Sequence, residues 1–270
     1  MIKTNRPRHR RAEFLDRRQE TRSGQGYLVV ISIGSVLIVW AAVTYFGLVN
    51  IALVPSPQQV ARSAWADIRD GSLGLNTLAS LTRVIEGFLL ALVIAVPLGA
   101  LMGIARTLRG LGEPLIELIR PVPPIAFIPL AILWFGIGEL SKIMIVAYGA
   151  FFPIFVNTMS GFREVDRVHI RAAQTLGANR LHLFRDVVLP SAMPQMVTGA
   201  RLGMGMAFVV LVAAELIASS EGLGYMINNA RFDFRTDQIF VGIIAIGVLG
   251  FVLNKALLKA ERRLLHWKVD

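Results

Sequence analysis

VIEGFLLALVIAVPLGALMGIA, from Val84 to Ala105, contains a single charged residue, Glu86. The hydrocarbon core of a bilayer is about 30 Å thick, so a helix needs roughly 20 apolar residues to cross it. Within lipid every backbone N–H and C=O must find a partner inside the segment, which a helix provides and an isolated strand does not. The stretch therefore reads as a transmembrane helix. Its Gly99 and Gly103, four apart, form a small-residue face that lets a neighbouring helix approach closely. Packing is a simpler role for these glycines than a place on a transport path.

Five further runs have the same character. Together the six expected spans are 27–47, 82–105, 115–136, 142–162, 194–217 and 237–258. The whole chain of 270 residues is 54% hydrophobic and only 17% charged, where a soluble domain carries about 25% charge. The expected fold class is an all-α membrane protein. The absence of Cys excludes thiolate catalysis and disulfides. Orientation follows from Lys and Arg in the flanks. With the N-terminus inside, segments 1–26, 105–120, 163–190 and 255–270 hold 21 of the 28 basic residues. The outer segments hold 6, and Arg201 lies within a span. Both termini are thus expected inside. This placement also accounts for the net charge of +10 without nucleic acid, and no aromatic residues interleave with the basic tail to stack on bases.

The expected organisation is a basic cytoplasmic tail at 1–26, a first span at 27–47 and an outer linker at 48–81. A core of five spans at 82–258 and a cytoplasmic tail at 259–270 follow. In the linker, Val60, Ala64, Trp65 and Ile68 recur at helical spacing, which predicts an amphipathic helix with Trp65 at the membrane interface. The third span opens RPVPPIAFIPLAILWFGIG. Pro121, Pro123, Pro124 and Pro129 each remove a donor and clash with the preceding turn. Broken backbone at membrane depth belongs inside protein or beside a water-filled path. The prolines therefore mark either the translocation pathway or a kinked packing helix.

Charges inside spans are costly and are usually paired or face a pathway. Arg83, Glu86 and Glu215 fall near one membrane face, and Arg83 and Glu215 are expected to pair across the second and fifth spans. Glu215 is also a pathway candidate. Arg201, inside the fifth span with no acid near it in sequence, either meets an anion or snorkels to the interface. The last outer loop, 218–237, carries Gly222 and Gly224 and reads as a re-entrant or lid element.

The longest polar interruption of the second half is GFREVDRVHIRAAQTLGANRLHLFRDVVLP, from Gly161 to Pro190. Val168, Ala172 and Leu176, then Leu181, Phe184 and Val188, recur at helical spacing. This predicts two short helices hinged at Gly177 on the cytoplasmic face. There is no GxxxxGK[ST] to cradle nucleotide phosphates, no HExxH and no GxSxG. Paired carboxylates suited to acid–base work are absent too, so a membrane-embedded enzyme has no visible reaction centre. A channel or scaffold is the remaining alternative.

The polar stretch resembles the EAA loop of ABC importer permeases, whose pattern is E-A-A, three residues, G, nine residues, I-x-L-P. Arg171-Ala172-Ala173, Gly177 and Val187-Val188-Leu189-Pro190 match its spacing, with Arg171 in place of Glu and Val187 in place of Ile. Ile116–Ile143 and Thr198–Ile227 are similar to the permeases of the nitrate, sulfonate and taurine importers. RPVPP, IRAAQTLGA and VAAELIA look most like the taurine branch. The resemblance implies a type I importer fold in the bacterial inner membrane. It also implies two copies of this chain, two ATPase subunits that bind ATP-Mg, and a periplasmic substrate-binding protein. Val168, Arg171, Ala172, Ala173, Leu176, Gly177, Leu189 and Pro190 would form the coupling contact with the ATPase.

Overall fold

The computed structural model describes Leu28 and residues 31–266. The expected basic tail, the opening of the first span and residues 267–270 of the last tail lie outside the described residues. Every regular element among the described residues is helical. Two compact units divide the chain, at 1–62 and 63–270.

In the first unit, helix α1 (Ile31–Tyr45) is apolar along its length. It ends where Gly47 turns at φ +66°. The Trp40 indole N–H donates to the Pro55 carbonyl at 3.0 Å, which ties the chain after the turn back to α1. Helix α2 (Pro57–Arg69) starts there. Its start is a capping box with Pro at the first helical position. The Gln59 N–H donates to Ser56 Oγ at 3.3 Å, and the Ser56 N–H donates to Gln59 Oε1 at 2.8 Å. Val60, Ser63 and Asp67 are buried, whereas Trp65 and Ile68 are exposed.

The second unit contains the long helices α3 (Ser72–Ile104), α6 (Glu139–Arg163), α8 (Arg180–Ala218) and α10 (Thr236–Leu264). All four are long and apolar enough to cross a bilayer. Helix α3 begins well before the expected position 82. It follows a turn in which Gly71 sits at φ +81° and the Asp70 carboxylate accepts the Ser72 N–H at 2.9 Å. That hydrogen bond holds the Asp70 carboxyl below its usual value.

The expected third span is in two pieces. Helix α4 (Arg106–Ile119) and the segment Pro124–Phe135, whose last part is helix α5 (Ile128–Phe135), meet at 83°. Pro121, Pro123 and Pro124 lie at the bend, where a continuous ladder of N–H donors is impossible. The described residues thus hold four spans, or five if the bent pair is one. Two shorter helices, α7 (Arg167–Thr175) and α9 (Leu223–Phe232), complete the unit.

Helix α6 sits at the centre, packed between α3 and α8. The contact face of α3 is a run of small residues four apart: Gly87, Ala91, Ala95, Gly99 and Gly103, all buried. A Cβ at Gly99 would lie 2.8 Å from the Phe155 carbonyl, and one at Gly103 would lie 2.6 Å from Phe162 Cβ. Between lipid-embedded helices the attraction is van der Waals contact rather than expulsion of water. Backbone approach at these glycines is therefore what holds α3 to α6.

Candidate functional site

Three places in the second unit gather residues of possible function. The first is a buried ion-pair network. Arg83 on α3 has no exposed side-chain surface. Its Nη1 donates to Glu215 Oε1 of α8 at 2.7 Å and to the Glu221 carbonyl at 2.7 Å. Its Nη2 donates to Glu139 Oε1 at 2.8 Å and Glu221 Oε1 at 3.2 Å, and Nε donates to Glu139 Oε2. Lys142 Nζ adds a contact to Glu139 at 2.8 Å. The fork of the guanidinium suits several carboxylates at once, which an ammonium in its place would not.

The same network starts helix α9. The first N–H groups of a helix lack intrahelical partners. Here Gly222 N–H donates to Asn76 Oδ1 at 2.8 Å, Leu223 N–H to Ser80 Oγ at 2.8 Å, and Gly224 N–H to Glu215 Oε2 at 2.9 Å. The Glu215 carboxylate also complements the positive end of the helix dipole. Gly222, at φ +115°, is required twice over: a Cβ there would lie 2.6 Å from Arg83 Nη1. The stretch expected to form the last outer loop therefore contains a ten-residue helix held at its start. Glu86, expected in the pairing, is not among these partners. It is exposed on α3, and Glu139 and Glu221 supply the charges instead.

The second place is a groove of about 680 Å³ between the Pro-rich bend, α6 and α8. Arg120, Pro124, Asn157 and Arg201 line it, on walls that include Phe152, Val156 and Met206. Pro121 and Pro123 are exposed and do not line it. Glu215, expected at the pathway as well as in a pair, is not there either, because its side chain is enclosed in the network. Arg201 does have an acid nearby: Glu261 of α10, with Nη1–Oε2 at 3.3 Å. That partner lies too far along the chain for the sequence to indicate it.

The third place is the polar stretch before α8. Asp166 caps α7 by accepting the Val168 N–H at 2.8 Å. The helix closes at Gly177, φ +82°. Ala178 N–H donates to the Ala173 carbonyl and Gly177 N–H to that of Gln174, both at 3.0 Å, which is a Schellman ending. Val168 and Leu176 are 66% and 88% exposed. Arg171 and Ala172 are exposed and Ala173 is half-buried.

The expected second short helix is not separate. Capped by Asn179, whose Oδ1 accepts the His182 N–H at 2.9 Å, it runs on as the first turn of α8. A wide π turn, Leu183–Val188, joins the two parts, with the Leu189 N–H bonded to the Phe184 carbonyl. Pro190 cannot donate to the carbonyl four residues back, so the helix widens ahead of it rather than breaking. Leu189 and Pro190 are half-buried at that junction.

Comparison with known proteins gives the family. Residues 95–264 match the family described as binding-protein-dependent transport system inner membrane component. The taurine transport system permease protein TauC of Escherichia coli is 40% identical over 88% of this chain and 90% of its own length. A putative aliphatic sulfonates transport permease protein, SsuC of Bacillus subtilis, is 35% identical over 93% of this chain and 92% of its own. A solved chain of the MetNI methionine ABC transporter, in an inward-facing conformation, superposes with a TM-score of 0.54 at 19% identity. That match covers 67% of this chain and 94% of the other, and it establishes the type I ABC importer permease fold. The chain belongs to the family of binding-protein-dependent transport inner-membrane components, in the nitrate, sulfonate and taurine group of ABC importer permeases, as a multi-pass protein of the bacterial inner membrane.

Proposed function

We propose that this chain is the translocating subunit of an ATP-driven importer for taurine or a closely related sulfonate. The observation that carries the reading is helix α7. It is a short, capped helix that exposes Val168 and Leu176, in a chain without a nucleotide-binding motif. Exposed apolar residues on a polar loop fit a partner's groove. The partner is a pair of ATPase subunits, each holding ATP-Mg, and this chain performs no bond chemistry. Val168, Ala172 and Leu176 pack against the ATPase. Arg171 stands exposed where the family pattern has Glu, so the facing group on the ATPase is acidic.

The arrangement is six spans with both termini inside and two copies of the chain around the path. A periplasmic binding protein delivers the substrate to the outer face. Nucleotide binding draws the ATPases together and shifts α7. Because α7 is joined to α8 through a single turn, that shift tilts α8 against α6 and opens the groove alternately to each side. Arg120 lines the groove and contributes a positive potential over largely apolar walls, beside Arg201, whose charge is shared with Glu261. That suits a small organic anion. The taurine assignment is supported by the 40% identity to the taurine permease over most of both chains.

The test is uptake by proteoliposomes holding this chain, its ATPase and its binding protein. ATP-dependent uptake of labelled taurine, competed by alkanesulfonates and not by nitrate or bicarbonate, is expected. Competition by nitrate or bicarbonate instead would move the chain to the other branch of the group. Failure to co-purify with any ATPase would remove the importer reading altogether.

A further inference from the structure

A cavity of about 600 Å³ opens where the end of α3, the start of α4, the end of α6, α7 and the first turns of α8 meet. Five arginines line it: Arg106, Arg109, Arg163, Arg167 and Arg180. No carboxylate does. Among the described residues, only Arg163 of the five forms an ion pair, with Glu113 at 3.9 Å. The Arg109 Nη2 donates to the Gly103 carbonyl at 3.2 Å, but its Nε is buried with no hydrogen-bond partner. Five guanidinium groups line one cavity with no carboxylate among its walls, so their repulsion is not offset there. An anion at the centre offsets it.

The remaining walls say what kind of anion. They include Ile104, Leu183 and the stacked rings of Phe162 and Phe184, 6.1 Å apart. Helix α4, which begins at this cavity, exposes Leu108, Leu111, Leu115 and Leu118 along one side. A compact anion joined to a long apolar body fits both features. Guanidinium forks match phosphate oxygens in bidentate fashion. Basic pockets between membrane helices on the cytoplasmic side are a known form of headgroup site. The apolar residues assigned to the ATPase contact, Val168 and Leu176, are not among the cavity walls.

We propose that this cavity binds the phosphate headgroup of an anionic phospholipid of the inner leaflet, with its acyl chains lying along α4. The leaflet rests on the reading above that 163–190 faces the cytoplasm. The bound lipid ties α4, α6 and α7 together at the point where α7 receives its push.

The test uses the full chain in nanodiscs of phosphatidylcholine with and without phosphatidylglycerol, and counts retained phosphatidylglycerol by native mass spectrometry. Wild type should retain it. Each arginine removed should weaken binding roughly fivefold. Arg109→Gln/Arg180→Gln should therefore bind about 25-fold more weakly, whereas Arg185→Gln, exposed on the same stretch but outside the cavity, should bind as wild type does. Arg106→Gln serves if the double variant does not fold. Equal retention by wild type and the cavity variants would overturn the proposal. Stabilisation of the detergent-purified chain by inorganic phosphate alone, at the concentration at which phosphatidylglycerol acts, would replace the lipid with a free anion. Loss of the lipid on adding the ATPase would assign the arginines to the protein interface. If α7 proves to face outward, the retention result stands and only the leaflet changes.

Discussion

Arg83 has no exposed surface and is surrounded by Glu139, Glu215 and Glu221. Glu139 and Glu221 are half-exposed, but the Glu215 carboxylate is enclosed, and removing Arg83 leaves it buried without its charge partner, a loss of about 3–5 kcal/mol. Arg83→Ala is therefore expected to lower the unfolding midpoint of the detergent-solubilised chain strongly. Glu215→Gln should cost less, because the amide oxygen keeps one of the two contacts that Arg83 Nη1 and Gly224 N–H make to different carboxylate oxygens. Equal midpoints for wild type and Arg83→Ala would refute this view of the network. Part of the cluster was legible in sequence. A charge inside an apolar run is rare enough to demand a partner, which pointed to the Arg83–Glu215 pair. Glu139 was not legible, because it opens a helix and looks like an ordinary loop acid. Asn76 and Ser80 looked like unremarkable polar residues, because the N–H groups they accept lie 146 and 143 positions away.

Among the elements, α7 depends most on one residue. Gly177 sits at φ +82°, and a Cβ there would meet nothing within 4 Å. The penalty for replacing it is thus conformational rather than steric, about 1–3 kcal/mol for a non-glycine residue in that region. Gly177→Val is expected to fray the end of α7 while the spans assemble normally. ATP-driven uptake should fall with little change in the yield of folded chain. Wild-type uptake by Gly177→Val would show that the geometry at this end of α7 is dispensable. The end of α7 could be read in advance because a glycine after a periodic run is a recurrent stop signal. The continuity of the following helix could not. Asn179 supplies a start signal and Pro190 a stop signal, and only the wide turn at Leu183–Val188 lets one helix contain both.

For the molecule as a whole, the sequence carried the fold class through length and apolarity alone. α3, α6, α8 and α10 coincide with runs whose composition admits no alternative in lipid. It also marked the third expected span as irregular, though not its 83° bend, since the angle is set by what α4 and α5 each pack against. Orientation is open to a direct test because the chain has no Cys. A single Arg171→Cys should react with a membrane-impermeant maleimide only after spheroplasts are permeabilised, and a single Ser220→Cys should react in intact ones. The reverse pattern would invert the topology.

The shared cap of α9 also constrains how the protein is made. Arg83 belongs to the first long helix of its unit, whereas Glu215 and Gly222 are synthesised far later. A ribosome-bound chain therefore presents Arg83 to the insertion machinery with no carboxylate from α8, and until Glu139 emerges it has none from α6. A lone arginine in a nascent span resists lateral release into lipid. Glu139 is the first acid to reach it, and the cap of α9 closes only once Glu215 and Gly222 have been made.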